Sequence, residues 1–123
     1  MNGNRLLLDT NIILYLLNGD ETLAELLNEK QLYISIITEL ELLGYKGITA
    51  KEEKVVNEFV SQCKTINITS EVRQNTIKIR KKYNTKLPDS IIMATAQYLE
   101  LPLVTSDAEF KKVDDLNLLY YEN

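Results

Sequence analysis

RLLLDTNIILYLL, residues 5–17, is the stretch on which the reading of this chain turns. RLLLD is an apolar run of strand length that ends on a carboxylate, and a second apolar run follows at once, so Asp9, Thr10 and Asn11 interrupt what otherwise reads as buried core. An ionised carboxylate in such a place costs several kcal/mol unless a partner compensates it. The sequence therefore asks what Asp9 faces.

Working outward, the pattern alternates between strand and helix. Residues 21–29 carry Leu23, Leu26 and Leu27 at helical spacing, and QLYIS at 31–35 returns to strand character. Ser35 is placed to cap a helix over IITELELLGY, and Thr49-Ala-Lys-Glu52 is a capping box that opens a helix to about Cys63. TINIT at 65–69 alternates as a short strand, after which Ser70 is expected to cap a helix whose apolar face carries Val72, Thr76, Ile79 and Tyr83. Leu87-Pro88-Asp89 starts the next helix, with proline where a helix tolerates it best. LPLVT at 101–105 is a further strand, Ser106 to Glu109 caps a short helix, and LLYY at 118–121 is the last strand. This alternation predicts an α/β chain: a three-layer α/β/α sandwich around a central, mainly parallel sheet of four to five strands, as one domain over residues 1–123. In such sheets ligands gather at the carboxyl ends of the strands. Asp9, Ser35 and Asp107 stand at or just past those ends.

Composition narrows the chemistry. The chain has 123 residues, 45% hydrophobic and 26% charged, enough for one domain with a core. Cys63 is the lone cysteine and there is no histidine, which excludes an internal disulfide, the common zinc sites and any mechanism that needs an imidazole. No charge-free run exceeds ten residues, about half of the ~20 that span a bilayer, so no membrane association and a cytoplasmic location are expected. The net charge of −4 and pI near 4.9 run against the basic excess usual in nucleic-acid binders.

Asp9, Asp89 and Asp107 can each be read singly as helix caps. Glu41 cannot, because it lies inside IITELELLGY. On a helical wheel Ile36, Ile37, Leu40 and Leu43 form the apolar arc, with Glu39 and Glu41 flanking it on opposite sides, and periodicity does not choose between the two glutamates. Taken together, three or four carboxylates on one edge repel one another, and the usual relief is a divalent cation with oxygen ligands. Magnesium or manganese, as one or two ions, suits such a donor set, and the chemistry implied is phosphodiester hydrolysis.

LLLDTNII at 6–13, SIITELELLGY at 35–45, LPDSIIMATA at 87–96 and LVTSDAEF at 103–110, in that order and spacing, resemble a PIN-domain nuclease of the VapC toxin type over nearly the whole chain. The resemblance implies that Asp9, Glu41, Asp89 and Asp107 form a catalytic, metal-binding acidic cluster. The family's Ser-x-x-Thr-x-x-Glu spacing maps onto Ser35, Thr38 and Glu41 and leaves Glu39 outside. It further implies that Asn11 supports the geometry around Asp9, that Thr105 hydrogen-bonds within the site, and that Ser106 stands where many relatives carry asparagine. The activity implied is a magnesium- or manganese-dependent endoribonuclease, a homodimer held inactive by a separate antitoxin protein.

Setting the four candidate ligands aside leaves the rest of the chain with no net charge. KIRKKYNTK at 78–86 then supplies Lys78, Arg80, Lys81, Lys82 and Lys86 as candidate contacts to RNA phosphates; the plainer reading is a solvated helix end. Two rival α/β folds fit less well. A haloacid-dehalogenase-type phosphatase wants an aspartate where Asn11 stands, and a receiver domain wants one at the end of the third strand, where TINITS has none. The remaining alternative is a PIN-like module that binds RNA or protein without cutting.

Overall fold

The computed structural model describes residues 4–122. Five strands, β1 (Arg5–Leu8), β2 (Gln31–Ser35), β3 (Lys64–Ile66), β4 (Leu103–Thr105) and β5 (Leu118–Tyr120), form one sheet in the order β3-β2-β1-β4-β5. Every neighbouring pair is parallel. The helices are α1 (Thr10–Leu17), α2 (Glu21–Leu27), α3 (Ile36–Leu43), α4 (Ala50–Ser61), α5 (Ser70–Lys82) and α6 (Leu87–Leu99), with a 3₁₀ turn over Ala108–Lys112. Among the described residues no helix is long and apolar enough to cross a membrane.

The central position of β1 explains why RLLL shows no alternation of polarity. Leu7 faces a core that contains Val72, Ile79, Ile92, Met93, Leu103 and Phe110, while Leu6 and Leu8 face a second core with Ile12, Ile13, Leu23, Ile34 and Val104. Both faces of the strand are covered at Leu6, Leu7 and Leu8, so all three positions must be apolar. Burying each such leucine contributes about 1.5–3 kcal/mol.

The expected three-layer architecture is what forms, with shifts at element ends that have local causes. The strand expected over 65–69 is Lys64–Ile66, because its only partner among the described residues, β2, stops at Ser35, opposite Ile66. Ser35 stops there because its side chain accepts from the Ile37 amide at 3.0 Å and caps α3. Thr69, rather than Ser70, caps α5, its hydroxyl accepting from the Val72 amide at 3.1 Å. Thr49 and Glu52 form the reciprocal capping box of α4. The apolar arc expected on α3 is also displaced. Thr38 and Leu42 are its buried residues, and Leu40 is 59% exposed.

Candidate active site

Asp9 follows β1 directly and caps α1, so the blander reading of this residue holds as far as it goes: Oδ1 accepts from the Thr10 amide at 2.8 Å. Its other oxygen points across the sheet. Oδ2 accepts from the Thr105 hydroxyl at 2.8 Å, and the Asp9 amide donates to Val104 O at 2.9 Å, so β4 holds the residue from the side. Asp9 is only 5% exposed, and burial pushes its carboxyl up to about 6; the two hydrogen bonds oppose that shift, and the charges of Asp89 and Asp107 add to it.

Thr105 ties two of the carboxylate-bearing segments together. While its hydroxyl donates to Asp9, the same oxygen accepts from the Asp107 amide at 3.0 Å. Asp107 in turn caps the 3₁₀ turn through the Glu109 amide at 2.9 Å. Asp89 lies in the first turn of α6, half-buried, and its carboxyl is raised first by burial and then by the charges of Asp107 and Glu41, with Lys86 opposing. Glu41 reaches the same edge from α3. It is exposed, and it accepts the Thr10 hydroxyl at 2.7 Å. Thr10 Oγ1 also lies 3.1 Å from the Oγ1 of Thr38, which is fully buried.

Asp9, Asp89 and Asp107 thus stand within electrostatic reach of one another at the carboxyl end of the sheet, and Glu41 acts on Asp89. A family model for the PIN domain matches residues 6–116. The chain belongs to the PIN domain family.

Among solved structures, this PIN domain is similar to a toxin–antitoxin complex from Klebsiella pneumoniae, at 32% identity over 96% of this chain and 99% of that one, with a TM-score of 0.82. It shares its fold with VapBC2 from Rickettsia felis bound to a DNA fragment from their promoter (22% identity, 96% and 99% covered, TM-score 0.82). DNA-bound VapBC from Salmonella typhimurium shares it too (22% identity, 94% and 97% covered, TM-score 0.82). No curated protein sequence matches the chain.

The donors of the PIN site are hard oxygens, and no thiolate competes: burial pushes the Cys63 thiol up to about 11, which keeps it protonated at neutral pH. Among the described residues no three acidic, histidine or cysteine side chains are already gathered to hold an ion. The set fits a divalent cation in its chemistry and in its unrelieved negative charge, with the carboxylates standing apart.

The other expected residues fall in different places. Asn11 is exposed on the first turn of α1, and the hydrogen bonds to Asp9 come from Thr10 and Thr105. Ser106 donates to the Tyr15 hydroxyl at 3.2 Å. The basic run divides. Lys78 and Lys82 border a hollow of about 620 Å³, where Asp114 and Asp115 face them and none of the four carboxylates appears. Arg80 donates to Thr85 O at 2.7 Å, Lys81 is exposed, and Lys86 lies beside Asp89. A smaller crevice of about 110 Å³ borders Asp89 and Asp107.

Sequence reasoning missed Thr10. Its place between Asp9 and Asn11 was the available signal, yet nothing in the order of residues says that a hydroxyl on α1 meets a glutamate on α3.

Proposed function

We propose that this PIN domain is a magnesium- or manganese-dependent endoribonuclease, the cytoplasmic toxin of a toxin–antitoxin pair, with Asp9, Glu41, Asp89 and Asp107 as the residues that would hold one or two ions. The observation that carries the reading is Asp9. A carboxylate 5% exposed, raised to about 6 and set against two further aspartates is an expensive arrangement that a divalent cation would relieve. Bound there, such a cation supplies positive charge against the negative charge that develops on a phosphodiester, and makes a water more acidic.

The chain's own residues supply position. Thr105 fixes the Oδ2 face of Asp9 and the backbone of Asp107 through one hydroxyl, and Thr10 holds Glu41. Because these ties connect the β1–α1 junction, β4 and α3, Asp9, Glu41 and Asp107 keep their relative places while RNA binds. In this reading Lys86, beside Asp89, meets an RNA phosphate, and Lys78, Arg80, Lys81 and Lys82 extend the basic surface. Thr38 lies behind Thr10, and Asn11 and Ser106 border the site without bonding a carboxylate.

The partner in this reading is a separate antitoxin protein, by analogy with the Klebsiella relative, whose structure is that of a toxin–antitoxin complex. Leu14 on α1 and Leu40 on α3 are exposed on adjoining helices close to the acidic edge and offer it apolar contact. The toxin acts as a homodimer. The test is cleavage of total cellular RNA by the purified protein and by Asp9→Asn, in magnesium, in manganese and with chelator. Discrete fragments that vanish both in the variant and with chelator support the reading, and equal cleavage by the variant defeats it.

A second reading, a PIN-like module that binds without cutting, draws on the open spacing of the carboxylates. It predicts no rise in melting temperature on adding either metal, since only a ligand that binds the native state raises it.

A further inference from the structure

Among the described residues, Asp89 differs from the other three carboxylates in that no hydrogen bond holds its side chain. Asp9 accepts the Thr105 hydroxyl, Glu41 the Thr10 hydroxyl and Asp107 the Glu109 amide, whereas Asp89 is acted on by burial and by neighbouring charges alone. Packing does not hold it directly either. The buried run of α6 begins one residue later, at Ser90, and Lys86 gives the helix no side-chain cap. Asp89 therefore takes its place from the 83–86 segment that leads into its turn.

That segment is held by side chains acting on three successive carbonyls. Ser90 Oγ donates to Lys86 O at 2.7 Å, and since a hydroxyl has one proton, the 2.6 Å contact between the Thr85 and Ser90 hydroxyls has Thr85 as its donor. Arg80 donates to Thr85 O at 2.7 Å. These bonds stay within α5, the segment and α6, and reach no other carboxylate-bearing element. Lys112 does reach one. From the end of the 3₁₀ turn that Asp107 caps, its ammonium donates to Asn84 O at 2.9 Å and to Glu109 Oε1 at 2.8 Å. Phe110 and Val113, both almost fully buried, anchor the turn to the core around it. A second bond, from the Asp114 amide to the Tyr83 hydroxyl at 3.1 Å, joins the same loops at the α5 end of the segment.

We infer that Lys112 is a positioning residue: its bond to Asn84 O sets where the turn bearing Asp89 stands against Asp107, and so how tightly the acidic set closes on a divalent cation. This rests on the metal-dependent reading above and deepens it. Lys112 acts by reach rather than by charge, because its ammonium is paired with Glu109 and the cation that acts on Asp89 is Lys86. A charged donor on a carbonyl is among the stronger hydrogen bonds. Reach and charge predict opposite signs. On charge alone, removing a cation from this edge strengthens the binding of another; on reach, it weakens it.

The test is Mn²⁺ binding to the whole protein without RNA, followed by the electron-spin-resonance signal of the free ion. Lys112 is exposed, so Lys112→Met should fold as the wild type does, and it should bind Mn²⁺ at least fivefold more weakly despite the lost positive charge. Lys112→Arg, which keeps the length and the donors for both acceptors, should restore most of the affinity. In an Asp89→Asn background, Lys112→Met should change the affinity by less than twofold, because its effect runs through Asp89. An affinity unchanged or raised in Lys112→Met, or a loss just as large without the Asp89 carboxylate, overturns the inference and leaves the nuclease reading intact. A wild type that binds no Mn²⁺ at millimolar concentration defeats the metal-dependent reading itself, and the inference with it.

Discussion

Replacing Asp9 by asparagine should make the metal-free protein more stable while abolishing its activity. Burial raises the carboxyl from its ordinary 3.8 to about 6, and at about 1.4 kcal/mol per pH unit the ionised form costs roughly 3 kcal/mol in the folded state near pH 7. Asparagine removes the charge but turns an N–H donor toward Thr105, whose oxygen already accepts the Asp107 amide. That loss of a matched donor costs about 1 kcal/mol, so the net gain is about 2 kcal/mol, or some 8 °C in Tm for a domain of this size. The sign follows from linkage. Between pH 3.8 and 6 the native state holds the Asp9 proton more tightly than the unfolded chain does, so this contribution to wild-type stability is complete below pH 3.8 and lost as pH rises through 6. Urea denaturation in chelator should therefore show Asp9→Asn ahead of wild type at pH 7.5, with the advantage gone at pH 4. Magnesium should restore the wild type and leave the variant unchanged. A variant less stable than wild type at pH 7.5 without metal, or a difference independent of pH, would refute the argument that Asp9 is held ionised at a cost.

Thr105→Val keeps the volume but removes both the donor to Asp9 and the acceptor for the Asp107 amide; it should cost about 2–3 kcal/mol by urea denaturation and lower cleavage by more than tenfold. Thr10→Val should release Glu41, lower cleavage about tenfold and change stability by less than 1 kcal/mol because the bond is exposed, with Thr10→Ser restoring most of the rate. Neutralising Lys81 and Lys82 should weaken RNA binding and flatten its salt dependence without unfolding the protein; an unchanged salt slope, with Lys86→Ala still lowering it by about one, would confine phosphate contact to Lys86.

The strands were legible in the sequence because a doubly covered sheet demands unbroken apolar runs, and Leu6, Leu7 and Leu8 meet that demand in β1. Asp9, Asp89 and Asp107 were legible as a set because each stands at an element boundary where local pattern already marks it. Glu41 was not legible from periodicity, since the α3 wheel could not tell it from Glu39 and only the family resemblance singled it out, and the wheel itself misjudged which face is buried. Leu40 is exposed and Thr38 buried, against propensity, because the polar hydroxyl of Thr38 is needed under Thr10. Hydrogen bonds between distant segments leave no periodic trace, and for that reason Thr10 was missed. The division of the basic run has the same origin: residues four apart on one helix share a face, but which groove that face borders depends on loops far along the chain.

The bond from Thr105 to Asp9 joins residues 96 positions apart, and β4, which carries Thr105, pairs directly with β1. Parallel pairing of strands so distant in sequence is among the slowest contacts to form. A polypeptide still being translated can hold Asp9, Glu41 and Asp89 and yet have nothing to set them in place until β4 and Asp107 emerge. In the ribonuclease reading the site stays incomplete through most of synthesis, and a copy terminated before β4 lacks both Asp107 and the hydroxyl that holds Asp9.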